Sequence, residues 1–375
     1  MKIMTIFGTR PEIIRLSVVL KVLDLHSDHV IVHTGQNYVE SLSDIFIRDL
    51  DIRQPDLHLG IRSSSFGEQA GKIISMADEV MEREAPDRLL VLGDTNSALS
   101  AIAAARRGIP VFHMEAGNRC FDDRVPEEIN RRIIDHSSTI LMPYTERSRD
   151  NLLSEGIDRE RIFVTGNPIY EVLNTFEEQI EASSALERLE ISRSGYFLVT
   201  LHRAENTSRR LRLENIFEGL SRVSAKFGKP VLVSVHPRTA ERLTEFSFPI
   251  DKEKVRLLEP LGFFDFVKLE KNALAVLTDS GTVQEECAIF RIPNITLRDV
   301  TERPETIECG SNILSGSDPD SILRATTIAL ADPYSWTPPR EYTVEKVSQT
   351  VGKIMLGHLS LRRHQNDPCP SSPLH

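Results

Sequence analysis

Aromatic side chains, cysteines, long apolar runs and basic clusters are all scarce in this chain of 375 residues, and each scarcity narrows what it can do. Aromatics make up 6%, with a single tryptophan, yet 40% of the chain is apolar, enough for a core in each of two domains at about 150 residues per domain. No apolar run approaches the roughly 20 residues that span a bilayer, so no membrane partner is expected. Lys+Arg 45 against Asp+Glu 55 leaves a net charge of −10, and no basic block offsets it. The phosphate-neutralising footprint of a nucleic-acid binder is therefore missing. Cys120, Cys287, Cys309 and Cys369 are scattered without CxxC pairs, which indicates neither a zinc site nor a disulfide framework. The opening Met1-Lys2-Ile3-Met4-Thr5-Ile6-Phe7 is too short for a signal h-region and meets no small-residue cleavage site. It reads as the buried first strand of a cytoplasmic protein.

What is present is an alternation of short apolar runs with longer amphipathic stretches, the pattern of a parallel sheet wrapped by helices. In the first half the expected strands are Ile3–Phe7, Val30–Thr34, Leu89–Leu92, Val111–Met114, Ile140–Pro143 and Ile162–Thr165, with helices over Pro11–Leu23, Glu68–Glu84 and Ser97–Arg107. The second half repeats the rhythm with strands at Phe197–Leu201, Pro230–Val235, Val255–Leu258, Ala275–Thr278 and Asn294–Leu297. The expected fold is α/β, two doubly wound domains facing a cleft, over 1–168 and 169–345. Gly166-Asn167-Pro168 and a charged helical stretch to about Leu189 form the hinge. A last helix over 346–361 is expected to pack back on the first domain, and the proline-punctuated tail 362–375 has too little apolar content to fold.

In open parallel sheets a ligand sits beyond the carboxyl ends of the strands, so the residues after each strand are the ones to read for chemistry. After the first strand, Gly8-Thr9-Arg10-Pro11-Glu12 gives a sharp turn, a proline suited to a first helical position and Arg10 at a helix mouth. The plain alternative is a surface arginine beside a helix start. G-x-G-x-x-G is absent, so no bound nicotinamide is expected. Thr278-Asp279-Ser280-Gly281 puts a Ser-Gly pair where a strand passes into a helix, a ready anion site whose glycine lets a diphosphate approach. An N-cap serine followed by acidic first-turn residues is the simpler reading. Glu286, one turn in, suits ribose hydroxyls or merely the helix dipole. Gly93-Asp94-Thr95-Asn96, His113-Met114-Glu115-Ala116-Gly117-Asn118-Arg119, Pro126-Glu127-Glu128-Ile129-Asn130-Arg131, His202-Arg203-Ala204-Glu205-Asn206 and His236-Pro237-Arg238 all place ionisable groups at such junctions. Singly, Asp94 suits an N-cap, Glu127 and Arg131 an i, i+4 pair, and His202 a core histidine. Three carboxylates in one half and a histidine in the other, all at strand ends, are harder to explain that way.

Gly8-Thr9-Arg10-Pro11-Glu12, His113-x-Glu115-Ala116-Gly117, Pro126-Glu127-Glu128-x-Asn130-Arg131, His202-Arg203-x-Glu205-Asn206, Thr278-Asp279-Ser280-Gly281 and Thr301-Glu302-Arg303-Pro304-Glu305, in this order, resemble the non-hydrolysing UDP-N-acetylglucosamine 2-epimerase family over residues 1 to about 330. The resemblance implies two Rossmann-like domains in a GT-B-like fold, a homodimer, and UDP held mainly by the second domain. It implies catalytic roles for Asp94, Glu115 and Glu127, and for His202 near the diphosphate and sugar. Arg10, Ser280 and Gly281 match diphosphate contacts, Glu286 the ribose contact, and Phe266 the position beside the uracil. Arg15, His236, Arg238 and Arg303 complete the expected substrate-binding set.

The chemistry that such an activity poses explains the residue types. C2 of a sugar nucleotide is not next to a carbonyl, so a side-chain base cannot take its proton unaided. Without a dinucleotide site or a metal cluster, the remaining route takes the C2 proton as UDP leaves from C1, giving a 2-acetamidoglycal, and then adds UDP back with the proton on the other face. That needs a carboxylate base facing C2, another acid on the opposite face, and cationic or dipolar groups for the departing diphosphate. No cofactor is expected.

Two positions depart from the family pattern. Arg15 stands where bacterial members carry a lysine, exchanging a point donor for a planar fork. Thr34-Gly35-Gln36-Asn37-Tyr38 stands where regulated members carry Gln-His-Arg, which puts the second, activating sugar-nucleotide site in question. Gly93-Asp94-Thr95-Asn96-Ser97 and Ala116-Gly117-Asn118-Arg119-Cys120-Phe121-Asp122 look closer to relatives acting on modified or 6-deoxy sugars. The alternatives are a hydrolysing 2-epimerase that releases N-acetylmannosamine, a GT-B glycosyltransferase and a non-enzymatic sugar-nucleotide sensor.

Overall fold

Ile3, Met4, Ile6 and Phe7 are all fully buried, because a parallel strand covered by helices on both faces has no solvent side and reads as an unbroken apolar run. The same holds for Leu89 to Leu92, Val111 and Phe112, and for Phe197, Leu198 and Val199 in the second half. The computed structural model describes residues 1–35, 40–63 and 65–357, with the side chains of residues 40–44 and of Arg238 outside that description. The expected loop residues Gln36, Asn37 and Tyr38, the end of the last helix beyond 357 and the tail 362–375 therefore lie outside the described residues.

The chain divides into two compact units, one of Met1–Arg119, Pro126–Pro168 and the segment from Lys346, the other of Cys120–Val125 and Ile169–Glu345. In the first, β1 (Lys2–Phe7), β2 (Asp28–His33), β3 (Leu57–His58), β4 (Arg88–Leu92), β5 (Val111–Met114) and β6 (Ile140–Met142) form one six-stranded sheet in the order β3-β2-β1-β4-β5-β6. In the second, β7 (Phe197–Leu201), β8 (Val231–Val235), β9 (Val255–Leu258), β10 (Ala275–Thr278), β11 (Asn294–Thr296) and β12 (Asn312–Leu314) run β12-β11-β10-β7-β8-β9. Every pairing is parallel. Counted by its own strands, each sheet has the Rossmann order 3-2-1-4-5-6, so each is doubly wound. Each has a switch point, between β1 and β4 and between β7 and β10, where a ligand is expected beyond the strand ends.

One expectation needs correction. The segment Ile162–Thr165 is no strand: only Ile162 makes a bridge, to Leu141 at the sheet edge. Two strands escape the sequence reading: β3, only two residues long, and β12, whose Ile313 and Leu314 are only half-buried at the sheet edge. The stretch to Leu189 is three short helices, Ile169–Thr175, Glu177–Glu181 and Ala185–Arg188.

Helix Val347–Leu356 packs on helix Arg10–His26 within the first unit, where Gly352 comes so close to Val22 that a Cβ there would sit 2.7 Å from its Cγ1. Fully buried Arg88 on β4 donates to the carbonyls of Met355 and Gly357, and its Cζ lies 5.3 Å from the centre of the Phe112 ring. A buried guanidinium needs acceptors, and the C-terminal segment supplies one for each terminal nitrogen of Arg88.

Candidate active site

In the first unit the loops at the switch point are the ones that carry Arg10 and Asp94. Gly8 and Thr9 leave β1, and Thr9 caps helix Arg10–His26, whose first residue is Arg10 and second is Pro11. Burial draws the pKa of the Arg10 guanidinium below its usual value, and its Cζ lies 5.7 Å from the centre of the Phe46 ring. After β4, Asp94 receives Arg131 Nε at 2.8 Å and Nη2 at 2.6 Å, and its carbonyl accepts from Asn130 Nδ2 at 3.0 Å. Arg131 also holds fully buried Glu128 at 2.6 Å. Asp94 is thus gripped by helix Pro126–Ser137 and is not an N-cap; that place before the 3-10 turn Asn96–Leu99 belongs to Thr95.

On the neighbouring strand end, Glu115 holds a left-handed φ of 65°, a conformation that costs of order 1 kcal/mol or more in a residue with a Cβ. The surroundings enforce it. Its N–H bonds Met142 O at 3.1 Å, its carboxylate is ion-paired to Arg15 and accepts from Asn118 Nδ2 at 3.1 Å. Gly93, with φ 70°, leaves the room, for a Cβ there would lie 3.6 Å from Glu115 Oε2. Beneath this loop His113 bridges Gly93 O and Asp135 Oδ1, each at 2.9 Å, while Asp135 also meets Arg119 Nη2 at 2.8 Å. Burial alone would raise the Asp135 carboxyl, but the His113 bond and the Arg119 charge outweigh it and hold it below the ordinary range. Glu127 is half-buried on the first turn of helix Pro126–Ser137.

In the second unit the switch-point loops carry His202 and Ser280. Asp279 is fully buried, and its carboxylate accepts from the backbone N–H of His202 (3.1 Å) and Arg203 (3.0 Å) and from Asn206 Nδ2 (3.1 Å). It also meets His202 Nδ1 at 3.2 Å, leaving a ring whose side chain is 40% exposed. His202 is therefore no core histidine. The ring of His236, beyond β8, lies 6.5 Å from it centre to centre. Ser280 caps helix Gly281–Phe290 without a side-chain cap bond, and its N–H goes to Thr278 Oγ1 at 2.9 Å. A Cβ on Gly281 would lie 3.6 Å from Cζ of Arg303, which is ion-paired to Glu285. Glu286 is buried on the same helix beside Glu270, whose carboxyl is pushed well above its usual value by burial and by the Glu286 charge. Half-buried Phe266 packs on helix Phe263–Asn272 against the core of this unit. The side chain of Arg238 lies outside the described residues.

The predicted residues divide between the units, with Arg10, Arg15, Asp94, Glu115 and Glu127 in the first and His202, His236, Phe266, Ser280, Gly281, Glu286 and Arg303 in the second. Sequence reasoning assigned nothing to Asp279, Asn118, the His113–Asp135–Arg119 set or Glu12. Only Glu12 carried a readable signal, the Thr9-x-x-Glu12 spacing of a capping box. Among the described residues no three His, Cys, Asp or Glu side chains lie where they could hold a metal ion.

Two doubly wound sheets of Rossmann order, each with its polar loops at the switch point, place the chain in the GT-B-like class of folds. A glycosyltransferase of lipopolysaccharide biosynthesis shares that fold at 12% identity and a TM-score of 0.60, covering 95% of this chain and all of its own. The model of the UDP-N-acetylglucosamine 2-epimerase family matches residues 23–356, and the chain belongs to that family. The UDP-N-acetylglucosamine 2-epimerase of Methanocaldococcus jannaschii is 44% identical over 348 residues, 90% of this chain and 95% of that protein. Its crystal structure with UDP-GlcNAc and UDP superposes with a TM-score of 0.90 at 41% identity, covering 95% of this chain and 99% of that one. The UDP-2,3-diacetamido-2,3-dideoxy-D-glucuronate 2-epimerase of Pseudomonas aeruginosa is 37% identical over 335 residues, 88% of this chain and 92% of that protein.

Proposed function

We propose that this enzyme inverts C2 of a UDP-2-acetamido sugar, taking UDP-N-acetylglucosamine to UDP-N-acetylmannosamine or a modified analogue, without hydrolysis. The observation that carries this reading is the pair of carboxylates at adjacent strand ends, Asp94 after β4 and Glu115 after β5, each paired to a buried arginine. One carboxylate removes the C2 proton. The C–H electron pair forms the C1=C2 double bond, and the C1–O bond breaks with its electrons passing to the diphosphate oxygen. UDP then adds back at C1 while a proton reaches C2 from the opposite face, with Glu127 as the third member of the proton-handling set.

Arg10, His202 and the dipole of the Ser280-Gly281 helix start stabilise the leaving diphosphate, while Arg15, His236, Arg238 and Arg303 complete the substrate-binding set. Glu286 takes the ribose hydroxyls and Phe266 lies beside the uracil. In this reading the first unit is the catalytic domain and the second the UDP-binding domain, the protein works as a cytoplasmic homodimer, and neither metal nor nicotinamide takes part. The P. aeruginosa relative supports a modified sugar as an alternative substrate of the same chemistry. Proton NMR of the protein with UDP-N-acetylglucosamine alone tests the proposal. Growth of a C2-inverted product is expected with UDP-N-acetylglucosamine or, in a parallel sample, with UDP-2,3-diacetamido-2,3-dideoxy-D-glucuronate, whereas free sugar with UDP, or no change with either substrate, would overturn it.

A further inference from the structure

Glu12 takes no part in the chemistry above, yet its side chain is 1% exposed and every oxygen is engaged. Oε2 accepts from the backbone N–H of Gly8 at 3.1 Å and of Thr9 at 2.8 Å, and Oε1 accepts from the Thr95 hydroxyl at 3.0 Å. The first two donors belong to the loop after β1, which carries Arg10. The third belongs to the loop after β4, which carries Asp94. These are the two loops that flank the switch point. A capping box asks only that the glutamate reach back to its own N-cap; the bond to Thr95, 83 residues away in sequence, is additional. From the other side Asn130 Nδ2 reaches Asp94 O and Asn96 Oδ1, both at 3.0 Å, so the 94–96 turn is held between helix Pro126–Ser137 and Glu12.

We propose that Glu12 is a positioning residue that locks the Arg10 loop to the Asp94 loop, so that the anion contact and the proton-handling carboxylate are set in one register. The inference rests on the functional reading above for what Arg10 and Asp94 do. Burial pushes the Glu12 carboxyl up to about 7, against the bonds from Thr9, Gly8 and Thr95 that lower it, so the fold has little need of a negative charge there. Glu12→Gln keeps an acceptor for the two backbone donors and offers an N–H to the Thr95 oxygen, whereas Glu12→Ala removes the link.

Four variants test it. Glu12→Ala is expected to lose about 10²-fold in turnover, the scale of a misplacement near 1 Å, and to bind UDP more weakly. Glu12→Gln should recover most of both losses. Thr95→Val, which leaves the Arg10 loop alone, should lower turnover at unchanged UDP affinity, and the double variant Glu12→Ala/Thr95→Val should turn over no more slowly than Glu12→Ala. Wild-type turnover in Thr95→Val, or additive losses in the double variant, would overturn the proposal. Amide hydrogen exchange reads the link without turnover: in Glu12→Ala faster exchange is expected in both 8–12 and 94–97, while faster exchange in 8–12 alone would reduce Glu12 to a helix cap. A wild type that converts no UDP-sugar would overturn the functional reading and leave the exchange result to decide the link.

Discussion

Glu115 sits at φ 65° with Arg15, Asn118 and Met142 O holding it there, and a residue kept in so costly a backbone state marks a place where orientation matters more than ease of folding. A positioned acid or base contributes roughly 10²–10⁴-fold, so Asp94→Asn, Glu115→Gln and Glu127→Gln are each expected to lose about that much turnover while still binding UDP, as steady-state rates and calorimetric titration would read. Glu12 makes a prediction of a different kind. Its carboxyl rises from 4.5 to about 7 on folding, so between those values the folded chain keeps a proton that the unfolded chain releases. The stability tied to that proton is complete below about pH 4.5 and is lost as pH rises through about 7, and the shift corresponds to about 3 kcal/mol. Denaturant titrations should therefore show Glu12→Gln gaining on the wild type by up to that amount between pH 4.5 and 8. A gap that does not change with pH would contradict a titrating group at this buried position.

At the scale of elements, the loop after β5 depends on Gly117, whose φ is 79° and whose Cβ, were one added, would lie 2.2 Å from the Ser148 carbonyl oxygen and 2.8 Å from Leu152 Cγ. Helix Glu146–Ser154 cannot yield at a backbone atom, so Gly117→Ala should destabilise the protein by about 1–3 kcal/mol and lower turnover through Glu115, two residues away. Thermal melts with parallel assays would check it, and an unperturbed variant would mean that the loop is not held against that helix. The clearest strand in the sequence is the buried apolar run Leu89 to Leu92, because two covered faces leave a continuous hydrophobic signal, whereas Val255–Leu258 and Asn294–Thr296 were read with one buried apolar residue each. Leu57–His58 and Asn312–Leu314 lie at sheet edges with their apolar residues only half-buried, and their pairing comes from the neighbouring strand rather than from their own pattern. The site motifs were legible because glycine, proline and ionisable residues cluster after each strand. Their partners were not: Arg15 and Glu115 lie 100 residues apart, and His202 and Asp279 meet only once β7 and β10 are paired.

Over the whole molecule, both sheets have the same strand order and both place their polar loops at the switch point, so one architectural rule locates both sets of candidate site residues. A buried carboxylate ties the two switch-point loops together in each unit, Glu12 in the first and Asp279 in the second. The rule does not say what reaction follows; that depends on which atom the carboxylates face. The claim that the C2 proton is removed and replaced, with no hydride passing through a nicotinamide, can be measured directly. When the enzyme converts UDP-N-acetylglucosamine in deuterated water, proton NMR and mass spectrometry of the product should show deuterium at C2, and turnover should survive exhaustive EDTA treatment with no NAD added. Conversion with the substrate's own C2 hydrogen fully retained would contradict the elimination and re-addition scheme.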